Sequence, residues 1–156
     1  MNFEHVVIVN EPENPLLIDL SREQLWFGLL CRAENPRPFL PGLEHCVIVE
    51  RDDTTLVRDL HFGDTVIRDH VTLEPMEAVI FRSEATEHHA GGSLRISIEE
   101  PSVAQLVLRF HYRTTLAERI SDPDSPYVEF VKSAYHASDI DTVRVIRMIA
   151  ESEISH

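Results

Sequence analysis

Six segments between Glu44 and Thr114 alternate between apolar and polar residues, and this pattern constrains the fold more than any other feature of the chain. A period of two residues is typical of β-strands with one buried face. Short turns separate most of these segments, and short turns join antiparallel neighbours. We therefore predict an antiparallel meander of six strands, over residues 44–51, 56–62, 65–73, 78–85, 94–99 and 103–114.

The dipeptide Gly63-Asp64 predicts a two-residue hairpin loop, which fixes the register of the strands on either side of it. In this register Arg58 lies opposite Asp69, on the side that carries the apolar residues of both strands. Opposite charges at paired positions support the register. The apolar residues on that side are Leu56, Leu60, Phe62, Ile67 and Val71.

The predicted Arg58–Asp69 pair has two interpretations. The corresponding pair on the polar side, Asp59 and Arg68, is exposed in this register and contributes little to stability. Burying two charges, by contrast, costs several kcal/mol per ion unless pairing and hydrogen bonds offset the cost. The pair is therefore either a core salt bridge or the polar end of a solvent-filled pocket that orients a ligand.

Residues 125 to about 152 predict one long helix. Ser125 is a suitable N-cap, and Pro126 suits the first helical position because its missing N–H has no intrahelical partner there. No Gly or Pro interrupts the segment that follows. The wheel of this helix has an apolar stripe formed by Tyr127, Val131, Ala134, Val145 and Ile149, flanked by Phe130 and Met148.

Polar residues interrupt this stripe near its centre. Ser138 and Thr142 lie on it, and Asp141 lies at its edge. Either Ser138 caps a second helix after a kink, or the polar patch faces an enclosed cavity, and the two are compatible. Ile140 and Val143 fall on the face away from the stripe. There they would offer a homodimer an apolar surface, be covered by a loop, or be isolated exposed residues.

The N-terminal part adds one strand and one helix. An apolar, β-branched run over residues 3–9 predicts a buried strand. Ser21 begins a helix with a capping box, and that helix runs to about Glu34. Gly28 inside the helix indicates a neighbour that needs the space. The element order predicts a single α+β domain over residues 1–156.

Charge and cysteine content exclude several classes of function. The 156 residues include 27 acidic and 14 basic side chains, for a formal net charge of −13. This balance argues against binding to nucleic acids and to anionic membranes. No apolar run approaches the ~20 residues of a membrane span, and the N-terminus lacks signal-peptide features, so we expect no stable membrane insertion and a cytoplasmic location. Two cysteines are too few for a disulfide framework.

Residues between positions 20 and 69 narrow the fold further. They are Leu20, Ser21, Arg22, Glu23, Gln24, Leu25, Trp26, Gly28, Leu29, Asn35, Pro36, Phe39, Pro41, Arg58 and Asp69. With the element order, they resemble the AtaL-like subgroup of the START/SRPBCC helix-grip superfamily, which includes the birch-pollen allergens and polyketide cyclases. The resemblance implies a seven-stranded curved antiparallel sheet wrapped around the C-terminal helix. It also implies a cavity for lipids, sterols, polyketides or other apolar molecules.

Common catalytic and metal motifs are missing from the sequence. It has no His-x-His, His-Glu-x-x-His, Cys-x-x-Cys or Gly-x-Ser-x-Gly motif, so we predict neither a metal site nor a cofactor. The adjacent His88 and His89 fall in a loop and are poorly placed to chelate one ion. A cavity enzyme would use Arg58 to polarise a carbonyl, Asp69 as base and Tyr112 as proton donor. An arginine partner, however, would lower the pKa of Asp69 and weaken it as a base.

Three hypotheses follow. The first is a non-enzymatic module that binds a small hydrophobic molecule between the sheet and the C-terminal helix. The second is a cavity enzyme of the polyketide cyclase or dehydratase type, and the third is a dimeric interaction protein without a ligand. The predicted ligand-binding residues are Trp26, Arg58, Asp69, Phe110, Tyr112, Ser138, Asp141 and Thr142.

Overall fold

The computed structural model describes residues 2–86, 91–114 and 126–154. In these residues a curved antiparallel sheet of seven strands has the order β1-β7-β6-β5-β4-β3-β2. The elements are β1 Asn2–Ile8, α1 Arg22–Glu34, β2 His45–Arg51, β3 Thr55–Phe62, β4 Thr65–Glu74, β5 Ala78–Ser83, β6 Gly92–Ser102, β7 Gln105–Thr114 and α2 Pro126–Ile154. The predicted α+β helix-grip fold is confirmed.

The hairpin between β3 and β4 has the predicted register. Phe62 pairs with Thr65, and Arg58 pairs with Asp69. Gly63 has a φ of +58°, in the left-handed region that glycine adopts without a Cβ penalty. A local sequence signal was sufficient here because the turn alone determines which residues face each other.

Helix α1 begins with the predicted capping box. The backbone N–H of Gln24 donates to Ser21 Oγ at 3.0 Å, and the N–H of Ser21 donates to Gln24 Oε1 at 2.9 Å. A Cβ atom at Gly28 would lie 2.6 Å from Cγ2 of Ile146 on α2. The neighbour that the glycine predicted is therefore the C-terminal helix, and the two helices pack closely at this point.

Helix α2 runs through Ser138 as one helix, so no second helix begins there. Its predicted N-cap, Ser125, lies outside the described residues. The predicted buried stripe was also wrong in part: Ala134 is exposed, whereas Val143 is buried instead of facing away. The contact between Gly28 and Ile146 explains the difference, because α1 covers the Val143 side of α2.

The core lies between the inner face of the sheet and the two helices. Its largest apolar members include Leu25 and Leu29 of α1, Phe110 of β7 and Ile146 of α2. Four charged side chains are buried in the same region: Arg32, Arg58, Asp69 and Asp139. In the described parts of the chain, neither helix is long and apolar enough to cross a membrane.

Candidate functional site

A cavity of about 260 Å³ lies between the sheet and α2 and is partly open to solvent. An apolar cavity of ~150 Å³ is large enough for benzene, so this one has room for a molecule of one or two rings. Its apolar lining consists of Leu40, Leu60, Phe62, Ile67, Phe81, Leu94, Tyr112 and Tyr135. Its polar lining includes Arg32, Arg58, Asp69, Ser83, Ser93, Thr114 and Ser138.

Aromatic side chains form the wall of the cavity next to α2. The rings of Tyr112 and Tyr135 have centroids 4.5 Å apart, and Phe3 stacks behind Tyr112 at 5.1 Å. Tyr112 comes from β7, Phe3 from the paired position on β1, and Tyr135 from α2. These interlocked rings give the cavity a flat apolar surface, which suits a planar ligand.

Arg58 lies at the floor of the cavity, with only 1% of its surface exposed. Its Nε and Nη2 donate to Asp69 Oδ2 at 3.3 and 2.9 Å. Its Nη1 donates to the backbone carbonyls of Arg32 and Ala33, both at 2.9 Å. These carbonyls lie in the last turn of α1, where carbonyls lack intrahelical partners and favour a cation. Arg58 therefore ties the end of α1 to the sheet.

The partner of Arg58 is also fully engaged. Asp69 Oδ1 accepts a hydrogen bond of 2.6 Å from the hydroxyl of Ser83, while Oδ2 accepts from Arg58. We name these three residues, Arg58, Asp69 and Ser83, the Arg58 cluster. It is a buried core salt bridge, and all three of its residues also line the cavity; that the pair orients a ligand stays a prediction.

A second polar cluster, named here the Asp139 cluster, consists of His5, Tyr112 and Asp139. The Tyr112 hydroxyl donates a short hydrogen bond to Asp139 Oδ1. His5 Nε2 lies 2.9 Å from Asp139 Oδ2, but the two atoms are not aligned as a hydrogen bond. Asp139 has 0% of its surface exposed. The cluster therefore holds a carboxylate in the core with one oxygen unsatisfied.

Burial shifts the pKa values of this cluster away from their ordinary range. It raises the pKa of Asp139 to about 7, although the Tyr112 hydrogen bond and the charge of Arg32 oppose the rise. Burial and the nearby His136 lower the pKa of His5. Burial and the Asp139 carboxylate raise the pKa of Tyr112. A raised pKa at Asp139 beside a lowered pKa at His5 means that burial favours the neutral form of both groups.

Arg32 of α1 is a functional candidate that the sequence analysis missed. It lines the cavity, has 6% of its surface exposed and stacks over Phe81 with 4.7 Å from Cζ to the ring centroid. Its Nε has no hydrogen-bond partner in the described part of the chain. A signal was present, because Arg32 follows Leu25 and Leu29 at the spacing of the buried helix face.

The structure brings only part of the predicted ligand-binding set to the cavity. Arg58, Asp69, Tyr112 and Ser138 line it. The other four residues do not line it: Trp26, Phe110, Asp141 and Thr142.

Each of the four has a different environment. Phe110 is fully buried in the core, and Trp26 packs against that core. Asp141 pairs with Arg144 at 2.8 Å near the surface. Thr142 is buried, and its hydroxyl has no partner in the described residues.

Asp139, rather than Asp141, is the buried acid of α2. Asp139 follows Tyr135 by four residues and precedes Ile146 by seven, so it lies on the row that faces the core. The apolar stripe predicted from the helical wheel contains Val145 and Ile149 instead, and Asp139 falls outside that stripe.

Metal binding has no support in the described residues, where no group of three His, Cys, Asp or Glu side chains could hold an ion. His88 and His89, the adjacent pair singled out in the sequence, lie outside these residues.

Comparison with known proteins supports the fold and assigns a family model. Residues 7–153 match the model of a family described as Acetylaranotin biosynthesis cluster protein L, abbreviated AtaL. No curated protein matches the chain by sequence.

Several solved structures share the fold. The di-domain aromatase/cyclase StfQ from the steffimycin biosynthetic pathway is 12% identical, with a TM-score of 0.69 over 99% of this chain and 52% of that one. The Zhui aromatase/cyclase from Streptomyces sp. R1128 is 17% identical, with a TM-score of 0.63 over 99% and 95%. Ara h 8.0201 is 10% identical, with a TM-score of 0.59 over 100% and 99%. The chain thus spans about half of the di-domain protein and nearly all of the other two.

Proposed function

This chain belongs to the AtaL family, and from that premise we propose that it binds a small hydrophobic molecule, such as a lipid, polyketide or aromatic compound, in the cavity between the sheet and α2. The observation that carries the proposal is the cavity itself. Apolar and aromatic side chains make up about half of its lining, and the charged side chains of Arg58 and Asp69 are paired on it, a composition that suits a small-molecule site.

The packing around the cavity supports a binding role. Arg58 and Asp69 satisfy each other and join α1, β3 and β4, so the floor is held in place before any ligand arrives. A preformed site loses less conformational entropy on binding than one that must be ordered by its ligand. An apolar molecule would gain further by displacing water from the aromatic wall.

The solved structures with this fold are consistent with the proposal. Two of them are named as aromatase/cyclases, and one of these, Zhui, matches over nearly its whole length. At 12–17% identity they establish the fold alone. The choice of ligand class therefore rests on the cavity of this chain.

Binding can be tested with a neutral two-ring probe, 2-naphthamide, by isothermal titration calorimetry. We expect the wild-type protein to bind it, and Leu94→Trp to weaken binding at least about tenfold, because the indole would fill the cavity that Leu94 lines. Leu16→Trp is the matched control, since Leu16 is 90% exposed and does not line the cavity. Equal binding by both variants would place the probe elsewhere and reject the proposal.

A second candidate function, a cyclase or dehydratase, is favoured by one observation. Tyr112 lines the cavity and donates to Asp139, whose pKa of about 7 suits general acid–base catalysis near neutral pH. Tyr112 would then give its proton to the leaving hydroxyl of the substrate and take a proton in turn from protonated Asp139, so that no phenolate is left in the core. Asp69 is a weaker candidate for the base, since Arg58 and Ser83 already occupy both of its oxygens.

This candidate can be tested by dehydration of a two-ring β-hydroxyketone, followed by absorbance. We expect the wild-type protein to accelerate the reaction, and Tyr112→Phe to lose at least about tenfold in rate while still binding 2-naphthamide. A wild-type rate equal to that of buffer would reject the enzyme hypothesis and leave the binding proposal standing. The third hypothesis, a homodimer without a ligand, stays a prediction that the oligomeric state in solution would test.

A further inference from the structure

Arg32 presents an unusual combination of burial and incomplete hydrogen bonding. Only 6% of its surface is exposed, it lines the cavity, and its Nε lacks a partner in the described residues. Buried guanidinium groups normally satisfy their donors, because the loss of hydration is otherwise uncompensated. The Nε atom is covered by surrounding atoms, so a ligand oxygen would meet the guanidinium through the part of Arg32 that lines the cavity.

The positive charge of Arg32 has no direct counter-ion in the described part of the chain. The nearest cation, Arg58, is already neutralised by Asp69 at 2.9 Å. In the residues that the structure describes, no carboxylate forms an ion pair with Arg32. Asp139 attracts Arg32 only from a longer range, without forming an ion pair with it. The guanidinium of Arg32 could therefore still pair directly with an anionic group of a ligand.

Arg32 keeps this charge near neutral pH. Burial and the like charge of Arg58 lower the pKa of Arg32 to about 10, which still leaves the guanidinium protonated at pH 7. The face of Phe81 and the C-terminal turn of α1 both attract a cation at this position. These contacts hold the guanidinium in place, yet neither one supplies a hydrogen-bond acceptor to its Nε.

We propose that Arg32 is the binding residue for an ionised oxygen, a carboxylate or an aromatic enolate or phenolate, of a planar ligand in the cavity. The inference rests on the proposed binding function and adds the chemical class of the ligand, an aromatic acid. Its rings would lie against Tyr112 and Tyr135, and its anionic end would reach the floor. The fork of a guanidinium matches a carboxylate with two parallel N–H···O bonds, which a neutral amide cannot accept.

The test compares two probes of the same shape, 2-naphthoate and 2-naphthamide, by isothermal titration calorimetry at pH 7. We expect the wild-type protein to bind 2-naphthoate at least about tenfold more tightly than 2-naphthamide, because hydrogen bonds to charged groups are the stronger ones. We expect Arg32→Met to abolish this preference while binding of 2-naphthamide persists.

Arg22→Met is the matched control on the same helix. Arg22 donates to the backbone carbonyl of Met76 and does not line the cavity, so this variant should keep the preference for 2-naphthoate. A variant of Arg32 that retains the full preference would overturn the inference. If the wild-type protein binds neither probe, the underlying binding function is rejected instead.

A second measurement needs no substitution. In the ¹⁵N-labelled wild-type protein, the Nε–H resonance of Arg32 should shift on addition of 2-naphthoate and stay nearly constant with 2-naphthamide. An Nε–H signal that responds equally to both probes would show that the guanidinium is only a wall of the cavity, and the inference would fail. This readout stands even if Arg32→Met does not fold.

Discussion

Two buried polar clusters flank the same cavity, and they differ in how fully their hydrogen bonds are made. In the Arg58 cluster both oxygens of Asp69 accept a bond and Arg58 donates four. In the Asp139 cluster, Oδ2 of Asp139 and Nε2 of His5 both lack an aligned partner. Since a buried polar group without an aligned partner is destabilising, we expect the Asp139 cluster to contribute less to stability than the Arg58 cluster.

This difference suggests a division of roles. The Arg58 cluster joins the end of α1 to β3, β4 and β5, and a complete network of this kind fixes the shape of the floor. The Asp139 cluster retains unused hydrogen-bonding capacity and a pKa near 7, which are properties of sites that exchange protons or bind polar groups. The Arg58 cluster would then mainly stabilise the fold, and the Asp139 cluster would be the one able to exchange protons or bind polar groups.

The largest effect is expected for Arg58→Met. It leaves Asp69 buried without its counter-ion and removes two hydrogen bonds from the end of α1, so the free energy of unfolding in urea should fall by about 3–5 kcal/mol. Arg68→Met is a matched control, because Arg68 forms a similar cross-strand pair with Asp59 on the same two strands but is exposed. That control should cost no more than about 1 kcal/mol. Similar losses for both variants would mean that the Arg58 cluster is not a buried network.

An intermediate effect is expected in the pH dependence of stability. Burial raises the pKa of Asp139 to about 7 from 3.8, so between about pH 4 and pH 7 the folded state binds a proton that the unfolded state has released. The contribution of Asp139 to the free energy of unfolding should therefore fall as the pH rises through this window, by at most about 1.4 kcal/mol per pH unit, and level off above it.

Asp139→Asn should remove this contribution. The measurement is urea unfolding of both proteins at pH 5, 6, 7 and 8, and the wild-type stability relative to the variant should decline up to about pH 7. Asp141→Asn is the control on the same helix, because Asp141 pairs with Arg144 near the surface. If the free energy of unfolding changes with pH in Asp139→Asn as it does in the wild-type protein, the pKa of Asp139 is not raised. The two clusters would then not differ in their electrostatics.

The smallest effects come from two hydroxyl groups. Ser83 donates to Asp69, so Ser83→Ala should lower the free energy of unfolding by about 1.5 kcal/mol. The hydroxyl of Thr142, on α2 one turn after Asp139, has no partner in the described residues, so Thr142→Val should leave stability unchanged or raise it by up to about 1 kcal/mol. Chemical denaturation of both variants gives the comparison. Equal losses would mean that Thr142 is as well satisfied as Ser83.

Much of the fold could be predicted because its signals are local. The alternating segments give the strands, Gly63-Asp64 gives the β3–β4 register, and the Ser21 capping box gives the start of α1. Each of these signals acts between residues close in the chain, so no knowledge of the packing partner is needed. The Arg58–Asp69 pair was found for the same reason, as a consequence of register.

The candidate site was predicted less completely. Arg58, Asp69, Tyr112 and Ser138 were placed at the cavity, but Arg32 and Asp139 were missed. The wheel of α2 gives the relative angles of its side chains, and several faces of that helix contain apolar residues. Which face is buried depends on what packs against it.

The sequence by itself determined the order of the elements, the register at the β3–β4 turn and the inward Arg58–Asp69 pair, because turn geometry and residue periodicity act over short distances along the chain. Only the tertiary structure decided that the side chains of Arg32 and Asp139 are both buried between the sheet and the helices. The close approach of Gly28 to Ile146 sets the rotation of α2. Gly28 signals a close neighbour, but no local pattern identifies a partner more than a hundred positions away.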